Sequence, residues 1–297
     1  GEVAMMRTRD ERDVSLSKVK RLWAPEFLRR GNMQLWIGTL IVGAIVLMAV
    51  LAPLLTPYSA TYQDLAEALD DIGTPGHPLG TDQLGRDIWA RLLYGGRTDL
   101  SVTLIAVVIP LVIGTILGAL CGYFGGWFDI LIMRLADIVT AFPFYVLVIA
   151  LVFAIGTGTT SIYIAISVVS WVAYARIVRG ETMVLRRKEF IDACETSGLS
   201  HLQIIGRHII PNTVSQAVVY AMSDIVMNIN VIVTLSFFGL GIVPPIPDWG
   251  QMMSDGQQFI MSGNSSLTLI PGLTVVLFSL GLSFLGDGIA NVLKTGR

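Results

Sequence analysis

The chain has 297 residues, of which 53% are hydrophobic and 14% are charged, and its mean hydropathy is +0.68. This balance excludes an ordinary water-soluble enzyme and indicates a polytopic protein embedded in a lipid bilayer. The formal net charge of −2 offers no global basic surface, so no nucleic-acid partner is expected. The two cysteines, Cys121 and Cys194, have no metal-binding or disulfide spacing.

The beginning of the chain combines a basic tail with an apolar run. Residues 1–33 are rich in lysine and arginine, and such an excess beside a span marks the cytoplasmic side of a membrane. Residues 34–57 contain the continuous apolar run 35–55, which as a helix would reach about 31 Å, close to the roughly 30 Å hydrocarbon core of a bilayer. We therefore predict a cytoplasmic N-terminal tail and a first transmembrane helix.

Residues 58–97 are predicted to form a segment on the external side. The second half of this segment reads H-P-L-G-T-D-Q-L-G-R-D-I-W-A-R-L-L-Y-G-G-R. Thr81 is a candidate N-cap, and Leu84, Ile88 and Leu92 recur every four residues. The pattern predicts an amphipathic helix that lies at the membrane interface and leads into the second span.

Residues 98–290 are predicted to form a five-helix core, and its first helix is the span 100–123. Glycines recur every four residues in this span, at Gly114, Gly118 and Gly122. A strip of small residues lets two helices approach closely, so a tight helix pair is expected here.

The next two spans are predicted at 130–155 and 161–177, and the second continues as a helix beyond the membrane. Arg134 and Asp137 lie near one end of 130–155, where charges should face protein or water rather than lipid. An ion pair at i, i+3 and a role in transport are both open for these two residues.

A polar stretch, 189–212, separates two long apolar regions and reads E-F-I-D-A-C-E-T-S-G-L-S-H-L-Q-I-I-G-R-H-I-I-P-N. Gly198 can adopt a positive φ between two short helical runs, and Pro211 is expected to end the second run. The residues predicted to form the apolar side of these two helices are Ile191, Cys194, Leu199, Leu202, Ile205 and Ile209. The residues alone are equally compatible with an ordinary cytoplasmic loop.

The fifth span, 213–238, carries Tyr220, Asp224 and Asn228, which repeat every four residues and therefore share one helix face. An ionisable residue within a span indicates a position inside the bundle or on a transport pathway. The stripe either lines the translocation route or forms a hydrogen-bonded pair between helices without substrate contact.

The end of the chain is predicted to return to the cytoplasm. Residues 239–267 are rich in turns and are placed outside, a sixth span follows at 267–285, and residues 291–297 form a cytoplasmic tail. The prediction is six spans with both termini cytoplasmic.

Motifs for catalysis are missing from the sequence. No G-x-x-x-x-G-K-[ST] loop for ATP and no H-E-x-x-H metal motif occurs, so no catalytic residue, metal site or cofactor is expected. A polytopic membrane enzyme would have only Arg134, Asp137 and Asp224 to work with, and they form no paired motif. If the chain takes part in active transport, the ATPase must lie on another chain.

The stretch 189–212 resembles the EAA loop of the permease subunits of bacterial ABC importers. The matching pattern is an acid, two small residues, a glycine six positions after the acid and a closing proline, here Asp192, Ala193, Cys194, Gly198 and Pro211. The chain departs from the pattern with Asp at 192, Cys at 194 and Ile at 210. Further stretches, H-P-L-G-T-D-x-x-G-R-D from 77 and P-P-x-P-x-W-G from 244, resemble the oligopeptide, dipeptide and nickel branch. The chain resembles the oligopeptide permease C subunits most closely, through A-R-I-V-R-G-E-T from 175, R-K-E-F-I-D-A-C from 187 and R-H-I-I-P-N from 207.

The resemblance implies an all-α, polytopic, type I ABC importer permease with six transmembrane helices and a cytoplasmic helix-turn-helix that couples to ATPases. It implies half of a translocation pathway for peptides in the inner membrane of a bacterium, with nickel, haem, glutathione or another small solute as the alternative. The implied partners are a second permease subunit forming a heterodimer, two cytoplasmic ATPase subunits and an extracytoplasmic substrate-binding protein. The residues expected to serve coupling are Glu189, Asp192, Ala193, Gly198, Arg207 and Pro211.

Overall fold

The structure is a computed structural model that describes residues 30–295. Its helices are α1 Arg30–Val50, α2 Ala52–Leu55, α3 Ile88–Phe124, α4 Gly126–Thr140, α5 Phe144–Ile155, α6 Thr159–Leu185, α7 Glu189–Thr196, α8 His201–Ile204, α9 Ile210–Phe237, α10 Trp249–Gln257 and α11 Ser266–Thr295. A 3-10 turn at Leu65–Glu67 and a π-turn at Ile205–Ile209 complete the regular elements of the described residues. The predicted all-α class is confirmed, and the predicted tail lies outside the described residues up to position 29.

Five of the described helices are long and apolar enough to cross a membrane. A sixth span exists only if α4 and α5 count as one, because these two helices meet at an angle of 90°. The predicted continuous span 130–155 is therefore wrong. Pro143 lies at the break, and proline both lacks the N–H that a helix interior requires and pushes the preceding residue out of helical conformation.

The helix α3 begins at Ile88 and runs for 37 residues without interruption. Its cap is Asp87, whose side chain accepts a hydrogen bond of 2.7 Å from the Ala90 N–H. The predicted cap Thr81 is wrong, since its hydroxyl donates instead to the Glu67 carbonyl and accepts from the Asp70 N–H. The helix predicted before the second span is thus continuous with that span in α3, and the predicted boundary at 97/98 lies inside α3.

The glycine strip of α3 packs directly against α6, as predicted. A Cβ added at Gly114 would lie 2.5 Å from the Cβ of Tyr174, and one added at Gly118 would lie 2.4 Å from the Ala175 carbonyl oxygen. At Gly122 the nearest atom would be the Cβ of Thr182 at 2.6 Å. Side chains larger than hydrogen therefore cannot be placed along this seam without separating the helices.

The prediction that Pro211 ends a helix is wrong, because α9 begins at Ile210 and continues past it. Pro211 lies in the first turn of α9, where a backbone N–H would have no intrahelical partner, so proline is tolerated there. The π-turn before it connects α8 to α9, and the stretch His201–Phe237 forms one apolar span. The α-helix of the fifth span accordingly begins at Ile210 rather than at 213, and it continues from α8 through the π-turn.

The segment 239–267 contains a helix, α10, where only turns were predicted. Trp249 at its start is 1% exposed. The Trp249 backbone N–H donates to the Asp99 carboxylate at 2.9 Å, and its indole N–H donates to the Leu92 carbonyl at 3.0 Å. Both acceptors lie on α3, so α10 is folded into the bundle. We call the end of the helix bundle that contains residues 58–87 and α10 the segment end. We call the end that contains residues 189–212 the hairpin end.

Candidate functional site: a helical hairpin and a cavity between helices

The hairpin 189–212 consists of α7, a glycine turn, α8, the π-turn Ile205–Ile209 and the first residues of α9. Gly198 has a φ of +83°, in the left-handed region that favours glycine, as the sequence predicts. Ser200 then caps α8: its backbone N–H donates to the Gln203 side chain at 2.9 Å, and its hydroxyl accepts from the Gln203 N–H. This reciprocal capping box fixes where the second arm begins.

One side of the hairpin is buried against the helix bundle. Ile191, Ile205 and Ile209 are at most 4% exposed, in agreement with their predicted places, and pack into a cluster with residues of α3 and α6. Leu202 was predicted on this side but is 72% exposed, and Ile204 is buried in its place. The π-turn Ile205–Ile209 directly follows α8 and departs from the 3.6-residue period on which the prediction for Leu202 rested.

The opposite side of the hairpin is exposed. All the residues assigned to coupling from the sequence lie on it: Glu189, Asp192, Ala193, Gly198, Arg207 and Pro211. Phe190 and Leu202 add apolar surface, at 40% and 72% exposure. The hairpin therefore presents a mixed polar and apolar surface while its other face holds it rigidly to the bundle.

Two arginines of α6 hold α4 beside the hairpin end. Arg179 binds the Asp129 carboxylate through two nitrogens, each at 2.5 Å. Arg176 binds Asp137 at 2.8 Å, whereas the predicted partner Arg134 lies 3.8 Å from the same carboxylate. The i, i+3 pair is present, but the closer partner of Asp137 is distant in sequence, and spacing alone could not reveal it.

The stripe of α9 meets α6 through one buried carboxylate. Asp224 is 3% exposed and accepts a hydrogen bond of 2.7 Å from the Tyr174 hydroxyl. The Asn228 amide donates to the backbone carbonyl of Asp224 at 2.9 Å, and the Tyr220 ring contacts the Tyr174 ring edge-on at 5.1 Å. A hydrogen bond between helices is thus present, with a partner that lies outside the stripe.

Asp224 and Tyr220 also line a cavity of 240 Å³ between the α4–α5 break, α6 and α9. Asn228 does not line it. The remaining lining residues are Val139, Thr140, Phe142, Phe144, Val169, Ser170, Val172, Ala173, Arg176 and Met227. The Ser170 hydroxyl is buried and has no hydrogen-bond partner among the described residues. The cavity therefore offers an acidic group, a basic group and a free hydroxyl within an apolar wall.

The segment end holds a separate polar cluster that the sequence did not predict. His77 lies between Asp87 and Glu67, with nitrogen–oxygen distances of 2.8 Å and 3.1 Å. Burial lowers the pKa of His77, but the hydrogen bonds to the two carboxylates raise it more, so the net pKa lies above 6.5. For the carboxyl group of Asp248, the cap of α10, burial has the opposite effect. It raises the pKa of Asp248 to about 6, although the backbone hydrogen bonds to this group lower it.

Charged side chains of residues 82–91 bind to α10. Arg86 and Arg91 both bind the Asp82 carboxylate, and both also contact Asp255 of α10, with Arg86 at 3.1 Å and Arg91 at 3.4 Å. These partners are up to 169 residues apart in the chain, so no local pattern could have revealed them.

Comparison with known proteins agrees with this architecture. Residues 114–296 match the family described as binding-protein-dependent transport system inner membrane component, and residues 30–71 match the N-terminal TM domain of oligopeptide transport permease C. The dipeptide transport system permease protein DppC of Alkalihalophilus pseudofirmus is 38% identical over 86% of this chain and 84% of its own length. The glutathione transport system permease protein GsiD of Shigella flexneri serotype 5b is 39% identical over 94% of this chain and 92% of its own length.

A solved structure shows the same fold at greater distance. A chain of the inward-facing MetNI methionine ABC transporter superimposes with a TM-score of 0.53 at 19% identity, covering 69% of this chain and 96% of that chain. The family match and the identities leave no need for the membrane-enzyme alternative. This chain belongs to the family of binding-protein-dependent transport system inner membrane components, and it is a multi-pass permease component of an ABC importer.

Proposed function

We propose that the chain forms half of the pathway of a peptide importer, pairs with a second permease subunit and is driven by two separate ATPase subunits. The observation that carries this proposal is the hairpin surface. Its buried side fixes it to α3 and α6, while its exposed side carries every residue that the family resemblance assigns to coupling. A surface of this kind is suited to receive a displacement from a partner without deforming itself.

The proposed mechanism is a rigid-body transfer. The hairpin docks in a groove of a cytoplasmic ATPase subunit, and Asp192 meets a basic residue of that partner. Closure of the ATPases moves the hairpin, and the attached helices rock between inward-open and outward-open states. The segment end would then face outward and receive the substrate-binding protein, and both termini would be cytoplasmic.

The test of coupling is Gly198→Val. A β-branched residue at positive φ costs about 1–2 kcal/mol, and nothing lies within 4 Å of the added Cβ, so the change strains the turn without a steric clash. We expect ATP hydrolysis to continue with little uptake in reconstituted assemblies. Gly43→Val is the matched control, since Gly43 also has open space but lies within a helix. Normal uptake per ATP by the Gly198 variant would contradict the proposal.

The proposed pathway includes the cavity beside Asp224. We expect Asp224→Asn and Asp224→Ala to lower uptake at unchanged assembly. Tyr174→Phe is the matched control, because it removes the bond between the helices and leaves the carboxylate in the cavity. Full transport by both Asp224 variants would remove the pathway role, and an equal loss in Tyr174→Phe would assign the effect to the bond between helices.

Peptides are the proposed substrates because one relative is a dipeptide permease, and glutathione is the second candidate because another is a glutathione permease. Calorimetric titration of the cognate binding protein with dipeptides, longer peptides, glutathione, nickel and haem discriminates these choices. Tight binding of nickel or haem alone would overturn the peptide assignment.

A further inference from the structure

Tyr123 joins both arms of the hairpin through a single oxygen atom. It lies in the last turn of α3 and is 1% exposed. Its hydroxyl donates to the Glu195 carboxylate of α7 at 2.8 Å, and the Nδ1 of His201 in α8 lies 2.9 Å from the same oxygen. Because a hydroxyl has one proton and two lone pairs, Tyr123 donates to Glu195 and accepts from the His201 N–H. One atom thereby fixes the angle between the two arms.

The same side chain is anchored to α6. The guanidinium of Arg186, which follows α6, lies 5.0 Å from the centre of the Tyr123 ring and donates to the Tyr123 carbonyl. The His201 ring packs against the Tyr123 and Phe124 rings at 5.6 Å and 5.9 Å. Both arms of the hairpin and the ends of two long helices therefore meet at one residue.

The helices α3 and α6 are closely packed next to Tyr123. Gly122 immediately precedes Tyr123, and a Cβ there would lie 2.6 Å from Thr182 of α6. A displacement of the hairpin must consequently move α3 and α6 together, because tightly packed helices cannot slide apart at small cost.

We propose that Tyr123 is the positioning residue that passes the displacement of the hairpin to the α3–α6 pair. The inference rests on the coupling role proposed above and adds the point of transmission. If Tyr123 served packing alone, the loss of its hydroxyl would be neutral, since the ring would remain in place. If it transmits the displacement, loss of the hydroxyl lowers the amount of solute moved per ATP hydrolysed.

The experiment uses the complete transporter in proteoliposomes, with radiolabelled dialanine and glutathione as parallel probes. We expect Tyr123→Phe and Glu195→Ala to lower uptake per ATP roughly three- to tenfold, the range that loss of one hydrogen bond allows. Glu195→Gln keeps an acceptor oxygen and should restore the ratio. Tyr145→Phe is the matched control, since it removes a hydroxyl from an exposed tyrosine of α5.

The outcomes separate this inference from the proposed function. ATPase subunits that stay bound to Tyr123→Phe while uptake per ATP falls support transmission through the hydroxyl. An unchanged ratio in Tyr123→Phe overturns the inference and leaves the proposed function intact. Loss of the ATPases from that variant overturns it as well, by showing that Tyr123 shapes the docking surface. A wild-type assembly that moves neither these two probes nor longer peptides with ATP would overturn the proposed peptide-import function itself.

Discussion

His77 illustrates how one side chain can hold a whole segment in place. Its two ring nitrogens contact Asp87 and Glu67, and its ring lies 4.7 Å from that of Tyr58. Asp87 is at the same time the cap of α3. The charge on this histidine therefore bears on both the fold of residues 58–87 and the beginning of the longest helix.

The pKa of His77 predicts that the segment is more stable in mild acid. Since the folded pKa is raised above 6.5, the contribution is complete below 6.5 and is lost as pH rises through the folded value. Amide exchange in residues 58–87, corrected for intrinsic rates, should accelerate between about pH 6 and about pH 8. His77→Gln should abolish the pH dependence, and His208→Gln, in the hairpin, should preserve it. Equal amide protection of residues 58–87 at about pH 6 and about pH 8 in the wild type would contradict a stabilising role of protonated His77.

At the scale of helices, the close packing of α3 against α6 predicts opposite changes in stability for two glycine-to-alanine substitutions. Gly118→Ala places a methyl group 2.4 Å from the Ala175 carbonyl and should destabilise the chain by about 1–3 kcal/mol. Gly180→Ala makes the same chemical change in α6 with nothing within 4 Å, and should stabilise by about 0.5–1 kcal/mol. Thermal unfolding in detergent, followed by size-exclusion fluorescence, measures both. A similar shift in the two variants would mean that the seam is not close-packed.

The helices also show which features a sequence can reveal. The first span, α6 and the glycine seam follow from apolar runs and small residues, and Gly198 follows from the need for a positive φ. These features depend on local chemistry. The 90° break also has a local signal, because Pro143 disfavours a continuous helix at this point.

Other features depend on contacts between distant parts of the chain. The burial of Trp249 requires acceptors on α3, and the partner that Arg86 and Arg91 share on α10 is Asp255. The candidate coupling residues, which stay a prediction, can be named from the sequence because they all lie in the single stretch 189–212. Tyr123 could not, since its two partners are 72 and 78 residues away.

For the whole molecule, the exposed hairpin predicts a composition for the native assembly. A tagged chain extracted from native membranes in mild detergent should co-purify with a second permease and two ATPase subunits, as read by native mass spectrometry. Leu202→Glu should release the ATPases and retain the second permease, because Leu202 is 72% exposed in the chain itself and a charge buried in an apolar groove is costly. Recovery of the wild-type chain alone, or as a homodimer without ATPases, would refute the assembly.

The uninterrupted α3 has a thermodynamic consequence. At about 1.5 Å per residue, its 37 residues reach roughly 55 Å, well beyond the roughly 30 Å of a hydrocarbon core. One end of α3 contacts Trp249 and the other end carries Tyr123, so a tilt of α3 would displace residues at both the segment end and the hairpin end. Two ligands that prefer the same tilt must strengthen each other's binding by an identical factor, and two that prefer different tilts must weaken it by an identical factor. The dissociation constant of the proposed substrate-binding protein, measured with and without nucleotide, and that of the nucleotide, measured with and without the binding protein, should change by the same factor.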